Sequence, residues 1–212
     1  MIHARTARRP PSSSARRRAS GCVFVISSPS GGGKTSVVQR LLRRMPRLIR
    51  SVSVTTRALR PGERQGRDYR FISPKAFARL RQTGALLEWA RVHGAYYGTP
   101  RAPIASALAR GRDVMLSIDV QGARQIRQTL RTQAVLIFLL PPPLEGLRER
   151  LLRRRTETAA AIRTRLAAAK RETACAAWYD HRVPNDTLTK TVARVGTILA
   201  RYRARSRRQR RG

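Results

Sequence analysis

The sequence predicts a three-layer α/β fold in which a parallel sheet carries helices on both faces. Three apolar runs at residues 22–26, 113–119 and 135–140 have the pattern of strands buried on both faces. Helical patterns alternate with these runs, which favours right-handed crossovers between parallel strands. A glycine-rich turn joins the first strand to its helix at residues 28–35. Because parallel sheets bind ligands at the carboxyl ends of their strands, we expect a binding site beside this turn.

The turn after the first strand matches a phosphate-binding loop. Residues 28–35 read SPSGGGKT and depart from the P-loop pattern G-x-x-x-x-G-K-[ST] only at Ser28. Glycines let backbone N–H groups converge on an anion, and the following helix N-terminus adds partial positive charge. We expect Lys34 to reach the β- and γ-phosphates and Thr35 to offer its hydroxyl to magnesium. The flanking strand and helix disfavour the alternative, a glycine-rich turn with a chance lysine, so the stretch predicts nucleoside triphosphate binding.

The chain is strongly basic. Its 212 residues carry 46 Lys and Arg against 11 Asp and Glu, a formal charge of +35 at pH 7. Such a charge suits nucleic acid, anionic membranes or phosphorylated substrates. Because arginines occur in every segment, we interpret much of the excess as compositional bias. No recognised nucleic-acid-binding motif appears, so a specific nucleic acid is not expected as a partner. A membrane is not expected as a partner either.

Cysteine usage and hydropathy indicate a cytoplasmic, soluble protein. Cys22 and Cys175 make neither a disulfide framework nor a metal cluster, which fits a reducing compartment. No run approaches the ~18 apolar residues of a membrane span. Residues 1–20 are rich in Arg, Ser and Ala and hold no acid. We expect a disordered arm there, and an organelle transit peptide is the alternative.

Closely spaced strand patterns predict a small, partly antiparallel lobe at about residues 51–100, between core segments 21–50 and 101–201. Residues 51–56, 67–72 and 86–92 are strand-like and follow one another without long crossover helices. Ser73 is expected to cap a helix that starts at Pro74 and ends near Gln82. Residues 96–100 are expected to form a turn into a helix at about 104–110.

The last third of the chain is predicted to be mainly helical. Residues 144–178 form an arginine-dense helical pattern in which Arg150 and Arg154 share a face, either as a solvated surface or as part of a site. A last helix is expected from Thr187, with its apolar side on the sheet. Residues 202–212 are expected to be a basic tail that frays past Arg201.

A second anion site is expected in the lobe. Arg57 and Arg60 lie three residues apart beside a turn, and together with Tyr69 and Tyr97 they offer donors for a phosphate dianion. Glu88 is the only acid in its strand. It either faces water or an arginine, or it accepts hydrogen bonds from guanine N1–H and N2, a donor pair that adenine lacks.

Together these segments resemble the guanylate kinases. The matching stretches are SSPSGGGKTS, SVSVTTRALRPGERQGRDYRFI, LLEWARVHGAYYGTP, IDVQGARQ, RLLRRRTET and VPND, and the similarity runs from about residue 21 to residue 201. The resemblance implies transfer of the γ-phosphate of ATP to GMP or dGMP with Mg²⁺, in purine nucleotide metabolism. It also implies a helical lid at about residues 144–170.

The resemblance assigns roles to four groups of positions. Those implied for ATP are Ser28, Pro29, Ser30, Gly31, Gly32, Gly33, Lys34, Thr35 and Asn185. Those implied for GMP are Ser53, Arg57, Arg60, Tyr69, Glu88, Tyr97, Thr99 and Asp119. Those implied for catalysis are Lys34 and the lid arginines Arg150, Arg154 and Arg165. Magnesium would be held by Thr35 and, through water, by Asp119.

The sequence departs from the family pattern at four positions. Ser117 stands where an acid is usual, Arg155 where glycine is common, Pro184 precedes Asn185, and Ser28 replaces the first small residue of the loop. Three rival functions differ in what they require. A sugar-phosphate kinase should not need Glu88, Ser53 and Thr99 together, and a non-catalytic interaction module would be expected to have lost Lys34. A nucleic-acid-binding protein would be expected to show more aromatic residues than 5%.

Overall fold

The structure, a computed structural model, describes residues 21–29, 32–92, 94–141 and 159–208. Its strands in chain order are β1 (Val23–Ser27), β2 (Leu48–Arg50), β3 (Val54–Thr55), β4 (Arg70–Phe71), β5 (Leu86–Val92), β6 (Ala95–Pro100), β7 (Asp113–Ser117), β8 (Ala134–Leu140) and β9 (His181–Pro184). Its α-helices are α1 (Lys34–Arg44), α2 (Pro74–Gln82), α3 (Arg101–Ala109), α4 (Val120–Leu130), α5 (Ala159–Ala174) and α6 (Leu188–Arg208).

The main sheet has five strands in the order β2-β7-β1-β8-β9, and each described pairing within it is parallel. This confirms the predicted α/β class. Phe24 and Ile26 face a core that α1 and α6 cover, whereas Val23 and Val25 face the core on the side of α3 and α4. Because both faces of the sheet are covered, every side chain of β1 is buried.

A second sheet has the order β4-β3-β6-β5 and mixes parallel with antiparallel pairs, as predicted for the lobe. Residues 96–100 are strand, however, and the expected turn there is wrong. Tyr96, Tyr97 and Thr99 have side chains that favour strands, and they pair with β5. The chain reverses earlier, at Gly94, whose φ of 85° suits glycine.

Three further outcomes concern helices. The Ser73 side chain accepts from the Ala76 N–H at the start of α2, so the predicted cap is confirmed. The last helix continues to Arg208 and does not end near Arg201, because Arg203 pairs with buried Asp113 at 2.8 Å and Tyr202 packs on the core. Residues 144–158 of the predicted helical segment lie outside the described ranges.

Helix α4 joins the two sheets and positions residues of both. The Asp119 carboxylate caps its N-terminus by accepting from the Gly122 N–H at 3.0 Å. One turn further on, the Gln125 amide donates to the Trp89 carbonyl and accepts from the Trp89 N–H. Asp119 therefore lies at the carboxyl end of β7 and beside β5 of the lobe. No helix in the described ranges is both long and apolar enough to cross a bilayer.

Candidate active site

The loop predicted to bind phosphate lies at the carboxyl end of β1, as expected for a loop that joins the first strand to its helix. Gly33 caps α1 with φ 83°, a left-handed conformation that glycine adopts without strain. A Cβ atom at Gly32 would lie 2.6 Å from Ser28 Oγ and 2.9 Å from the Pro29 carbonyl, so only glycine fits. The predicted loop residues Ser30 and Gly31 lie outside the described ranges.

Lys34 and Thr35 open the helix that follows the loop. The Lys34 ammonium donates to the Ser28 carbonyl at 2.5 Å, which places the cation against the loop backbone. Thr35 is exposed in the first turn of α1. The first turn of α1 contains no acidic residue. No side chain of that turn therefore neutralises the partial positive charge at the helix N-terminus. The arrangement suits an anion with several oxygens.

Asn185 supports the loop from the other side. Its buried side-chain amide donates to the Gly32 carbonyl, and its amide oxygen accepts from Thr191 Oγ1 at 3.0 Å. Its backbone N–H donates to the Leu140 carbonyl at 3.0 Å. These bonds tie the phosphate loop to the end of β8 and to α6. Thr191 was not foreseen, because a threonine inside a helical pattern carries no signal of this contact.

The interior of the lobe contains a buried carboxylate. Glu88 is only 4% exposed, and its Oε1 accepts from Thr99 Oγ1 at 2.5 Å across the β5–β6 pair. A Cβ atom at Gly122 would lie within 3.0 Å of the Glu88 carboxyl carbon. The first turn of α4, capped by Asp119, therefore packs directly on Glu88. Of the alternatives for Glu88, the water-exposed one and the arginine-paired one do not occur among the described contacts.

Burial raises the pKa of Glu88 to about 7. The Thr99 hydrogen bond opposes this shift, and the nearby Asp119 carboxylate adds to it. Among the described residues only Thr99 donates to this carboxylate, and a ligand with two adjacent N–H donors would supply the further hydrogen bonds that the ionised form requires.

Arg57 lies at the outer end of the same lobe. Its Nε donates to the Tyr97 hydroxyl at 3.1 Å, and its guanidinium lies 5.1 Å from the centre of the Tyr69 ring. Tyr69 in turn packs edge-to-face on Tyr97, with ring centroids 5.9 Å apart. The structure therefore brings together three of the four residues predicted to bind a phosphate.

Glu63 is a member of this group that the sequence analysis missed. Its carboxylate accepts two bonds from the Arg57 guanidinium, at 2.5 and 2.7 Å, and a third from the Arg60 N–H at 3.0 Å. The Arg57 hydrogen bond is the main cause that lowers the pKa of Glu63, and Glu63 is the main cause that raises the pKa of Arg57. The only signal in the sequence was an acid at the end of the arginine-containing turn.

The other predicted site residues are Ser53, Arg60 and the three lid arginines. Ser53 directly precedes β3, and its carbonyl accepts from the Arg70 N–H at 2.9 Å. The Arg60 side chain is exposed. Arg150 and Arg154 lie outside the described ranges, and Arg165 lies in α5 with its side chain outside the description. No cluster of three His, Cys, Asp or Glu side chains suited to a metal occurs among the described residues.

Two departures from the family pattern have a structural context. Pro184 ends β9, which is the edge strand of the main sheet, where a missing N–H is tolerated. Ser117 ends β7 beside Ile26 of β1. Arg155 lies outside the described ranges.

Comparison with known proteins agrees with this geometry. A guanylate kinase family model matches residues 20–202. The chain is 44% identical over 170 residues to a guanylate kinase of Wolbachia sp. subsp. Brugia malayi, which covers 80% of this chain and 87% of that protein. It is 48% identical over 166 residues to a guanylate kinase of Gloeobacter violaceus, covering 78% and 80%.

A solved structure leads to the same family. The crystal structure of guanylate kinase from Anaplasma phagocytophilum superposes with a TM-score of 0.74 at 34% identity, and the match covers 87% of each chain. Sequence, family model and fold therefore agree over nearly the whole region from β1 to α6. The chain belongs to the guanylate kinase family, nucleoside monophosphate kinases that phosphorylate GMP with ATP.

Proposed function

We propose that this chain transfers the γ-phosphate of ATP to GMP, with GMP held by the lobe and ATP by the phosphate loop. The main observation in support of this proposal is the buried Glu88 carboxylate. Among the described residues it has one side-chain donor, Thr99, and it lies against the helix that Asp119 caps after β7. A guanine ring would give this carboxylate the two N–H donors of N1 and N2, whereas adenine would leave it unpaired.

The phosphate end of GMP fits the Arg57 group. Guanidinium groups bind phosphate through charge-assisted, often bidentate, hydrogen bonds. Glu63 and Tyr97 fix the orientation of Arg57, so less side-chain freedom would be lost when a phosphate binds. Arg60 and Tyr69 supply a second cation and a phenol in the same part of the lobe. The roles assigned to Ser53 and Thr99 as further guanine contacts belong to this proposal.

ATP would bind to the loop and to the start of α1. The Lys34 ammonium beside the loop and the N–H groups of the helix N-terminus provide positive charge for the β- and γ-phosphates. Asn185 holds the loop in place through the Gly32 carbonyl, and its neighbourhood would accommodate the adenine ring. We assign Arg150, Arg154 and Arg165 to closing over the phosphates, as the family resemblance implies.

The donor set near the loop fits a magnesium ion. Thr35 offers an exposed hydroxyl, and Asp119 offers a carboxylate at the neighbouring strand end; both are the oxygen ligands that Mg²⁺ prefers. With few protein ligands, such an ion keeps waters and nucleotide phosphates in its coordination shell, so Asp119 would act through water. When bound, it neutralises charge on the transferring phosphates.

The chemistry asks the protein for positioning and charge stabilisation. A phosphate oxygen of GMP attacks the γ-phosphorus of ATP in line, a new P–O bond forms, and the bond to the β-phosphate oxygen breaks to release ADP. Lys34 and the lid arginines stabilise the negative charge of the transferring group. Helix α4 keeps the two ends of the site in register, because it contacts β5 and begins at the end of β7.

A coupled ADP-release assay with GMP, dGMP, AMP and ribose 5-phosphate tests this function. We expect turnover with GMP and dGMP, and at most marginal turnover with AMP. Turnover that is equal for ribose 5-phosphate would favour a sugar-phosphate kinase. Lys34→Ala should abolish turnover with every acceptor, while Glu88→Gln should reduce the preference for GMP over AMP. We place the reaction in purine nucleotide metabolism in the cytoplasm, in keeping with the free thiols of Cys22 and Cys175.

A further inference from the structure

One buried polar group near the site has no role in the mechanism above. The Tyr179 side chain is 6% exposed, and its hydroxyl makes no hydrogen bond of ordinary geometry with the described residues. An unpaired buried hydroxyl costs free energy, and native proteins retain few such groups. This cost is unexplained by packing alone, because phenylalanine would fill the same space without the hydroxyl.

The surroundings place Tyr179 beneath the phosphate loop. Its ring packs edge-to-face on Phe138, with centroids 5.1 Å apart, and Phe138 is the direct neighbour of Ser27 in the β1–β8 pair. The side chain of Ser27 points to the same face of the sheet as Val25 and Val23, which share a core cluster with Tyr179. The Tyr179 hydroxyl consequently faces the last residue before the loop.

Ser27 links this hydroxyl to Asp119. Ser27 is fully buried, and its Oγ donates to the Asp119 carbonyl over a long 3.5 Å. A serine hydroxyl that donates one bond can still accept another. Burial raises the pKa of Tyr179, and a side-chain interaction with Ser27 opposes this shift, so the two hydroxyls already lie within reach of each other but short of ordinary hydrogen-bond geometry.

We propose that the Tyr179 hydroxyl is a positioning group that donates to Ser27 Oγ when both nucleotides are bound, and thereby holds Asp119 in place. The inference rests on the proposed function, in which Asp119 contacts the metal and the acceptor. Tyr179 follows the turn Cys175–Trp178, which continues directly from α5.

Tyr179→Phe separates this role from a structural one. Removal of an unpaired buried hydroxyl should leave the thermal midpoint unchanged or raise it. We expect kcat for ATP and GMP to fall about tenfold, the factor that corresponds to the loss of one hydrogen bond in the active complex. The KM for ATP should change by less than about twofold, because Lys34 and the loop are untouched.

Tyr202→Phe is a matched control. The Tyr202 hydroxyl already has a partner, the His181 Nε2 at 3.3 Å, and it lies on α6 away from the site. This variant should lower the thermal midpoint and leave kcat unchanged, the opposite of Tyr179→Phe. Similar effects of the two substitutions would overturn the inference.

A double-mutant cycle with Ser27→Ala tests the route to Asp119. If Tyr179 acts through Ser27, the double variant should be no slower than Ser27→Ala alone. Additive losses, or a Tyr179→Phe variant with the kcat of the wild type, would overturn the inference, and the latter would indicate that a buried water satisfies the hydroxyl. Absence of GMP phosphorylation by the wild type would instead refute the proposed function.

Discussion

Thr99 Oγ1 lies 2.5 Å from Glu88 Oε1, and both residues are at least 96% buried. This pair joins two neighbouring strands of the lobe at the point where α4 packs on them through Gly122. A charged group in such a place is stable only if it receives further hydrogen bonds or takes up a proton. Under the proposed function, acceptor binding at this pair and protonation of Glu88 are therefore interdependent.

GMP binding should weaken below neutral pH. The pKa of Glu88 is about 7, and only its ionised form can accept from both N–H groups of guanine. We expect the KM for GMP to be about tenfold higher at pH 6 than at pH 8. Glu88→Gln is the control, because it keeps any titration of the GMP phosphate itself. An identical pH profile for the variant and the wild type would contradict the assignment.

The same group should make the free protein less stable as pH rises. The pKa of Glu88 is raised from its ordinary 4.5 to about 7 in the folded state. Between these values the folded chain binds a proton that the unfolded chain does not, so the contribution to the free energy of unfolding is present below 4.5 and is lost as pH passes 7. Urea unfolding from pH 4.5 to 8 should show this decline in the wild type and a smaller one in Glu88→Gln.

Thr99→Val should destabilise the lobe in a pH-dependent way. The variant keeps the shape of the side chain but removes the one described side-chain donor to Glu88. We expect a loss of about 1–3 kcal/mol in the free energy of unfolding at pH 8, where the carboxylate is ionised, and a smaller loss at pH 5. Thermal denaturation at the two pH values measures the difference. A loss that is equal at both would show that the ionised form does not depend on Thr99.

Glu63→Gln should impair GMP binding without removing a cation. The variant loses the paired charge that orients Arg57 and weakens the bond to the Arg60 N–H. We expect the KM for GMP to rise about fivefold to tenfold, and the KM for ATP to stay unchanged. Asp186→Asn is a suitable control, since it removes an exposed ion pair with Arg194. If the carboxylate instead competes with the GMP phosphate, the KM would fall.

Asn185→Ala should affect the ATP end. The side chain is buried and bridges Gly32 to Thr191, so its loss leaves a carbonyl and a hydroxyl with fewer partners. We expect a decrease of about 1–3 kcal/mol in the free energy of unfolding. The KM for ATP should rise while the KM for GMP stays close to that of the wild type. Steady-state kinetics with each nucleotide varied in turn distinguishes this from a general loss of structure, which would raise both.

Local patterns were enough to predict the central strands and the place of the glycine-rich loop, and they singled out Glu88 without deciding whether it is buried. The loop is recognisable because Gly33, Lys34 and Thr35 are adjacent in sequence, and Glu88 because it interrupts an apolar strand. Strand β6 was mistaken for a turn, since its tyrosines and glycine do not form an alternating pattern.

Contacts between distant residues could not be predicted in this way. The Asn185–Gly32 bond spans 153 positions, and β9 is a four-residue edge strand whose pairing depends on β8. The contact of Tyr179 with the end of β1 likewise exists only once β8 lies between them. Such contacts depend on the order of the strands in the sheet, and the local periodicity of the sequence does not predict that order.

Calorimetric titration of the protein with GMP alone, in the absence of ATP, tests the central claim most directly, because it isolates the acceptor pocket from the chemistry. We predict saturable binding of one GMP per chain at pH 8, no comparable binding of AMP, the same GMP affinity in Lys34→Ala, and much weaker binding in Glu88→Gln. Equal affinities for GMP and AMP in the wild type, or GMP binding that survives Glu88→Gln unchanged, would contradict it.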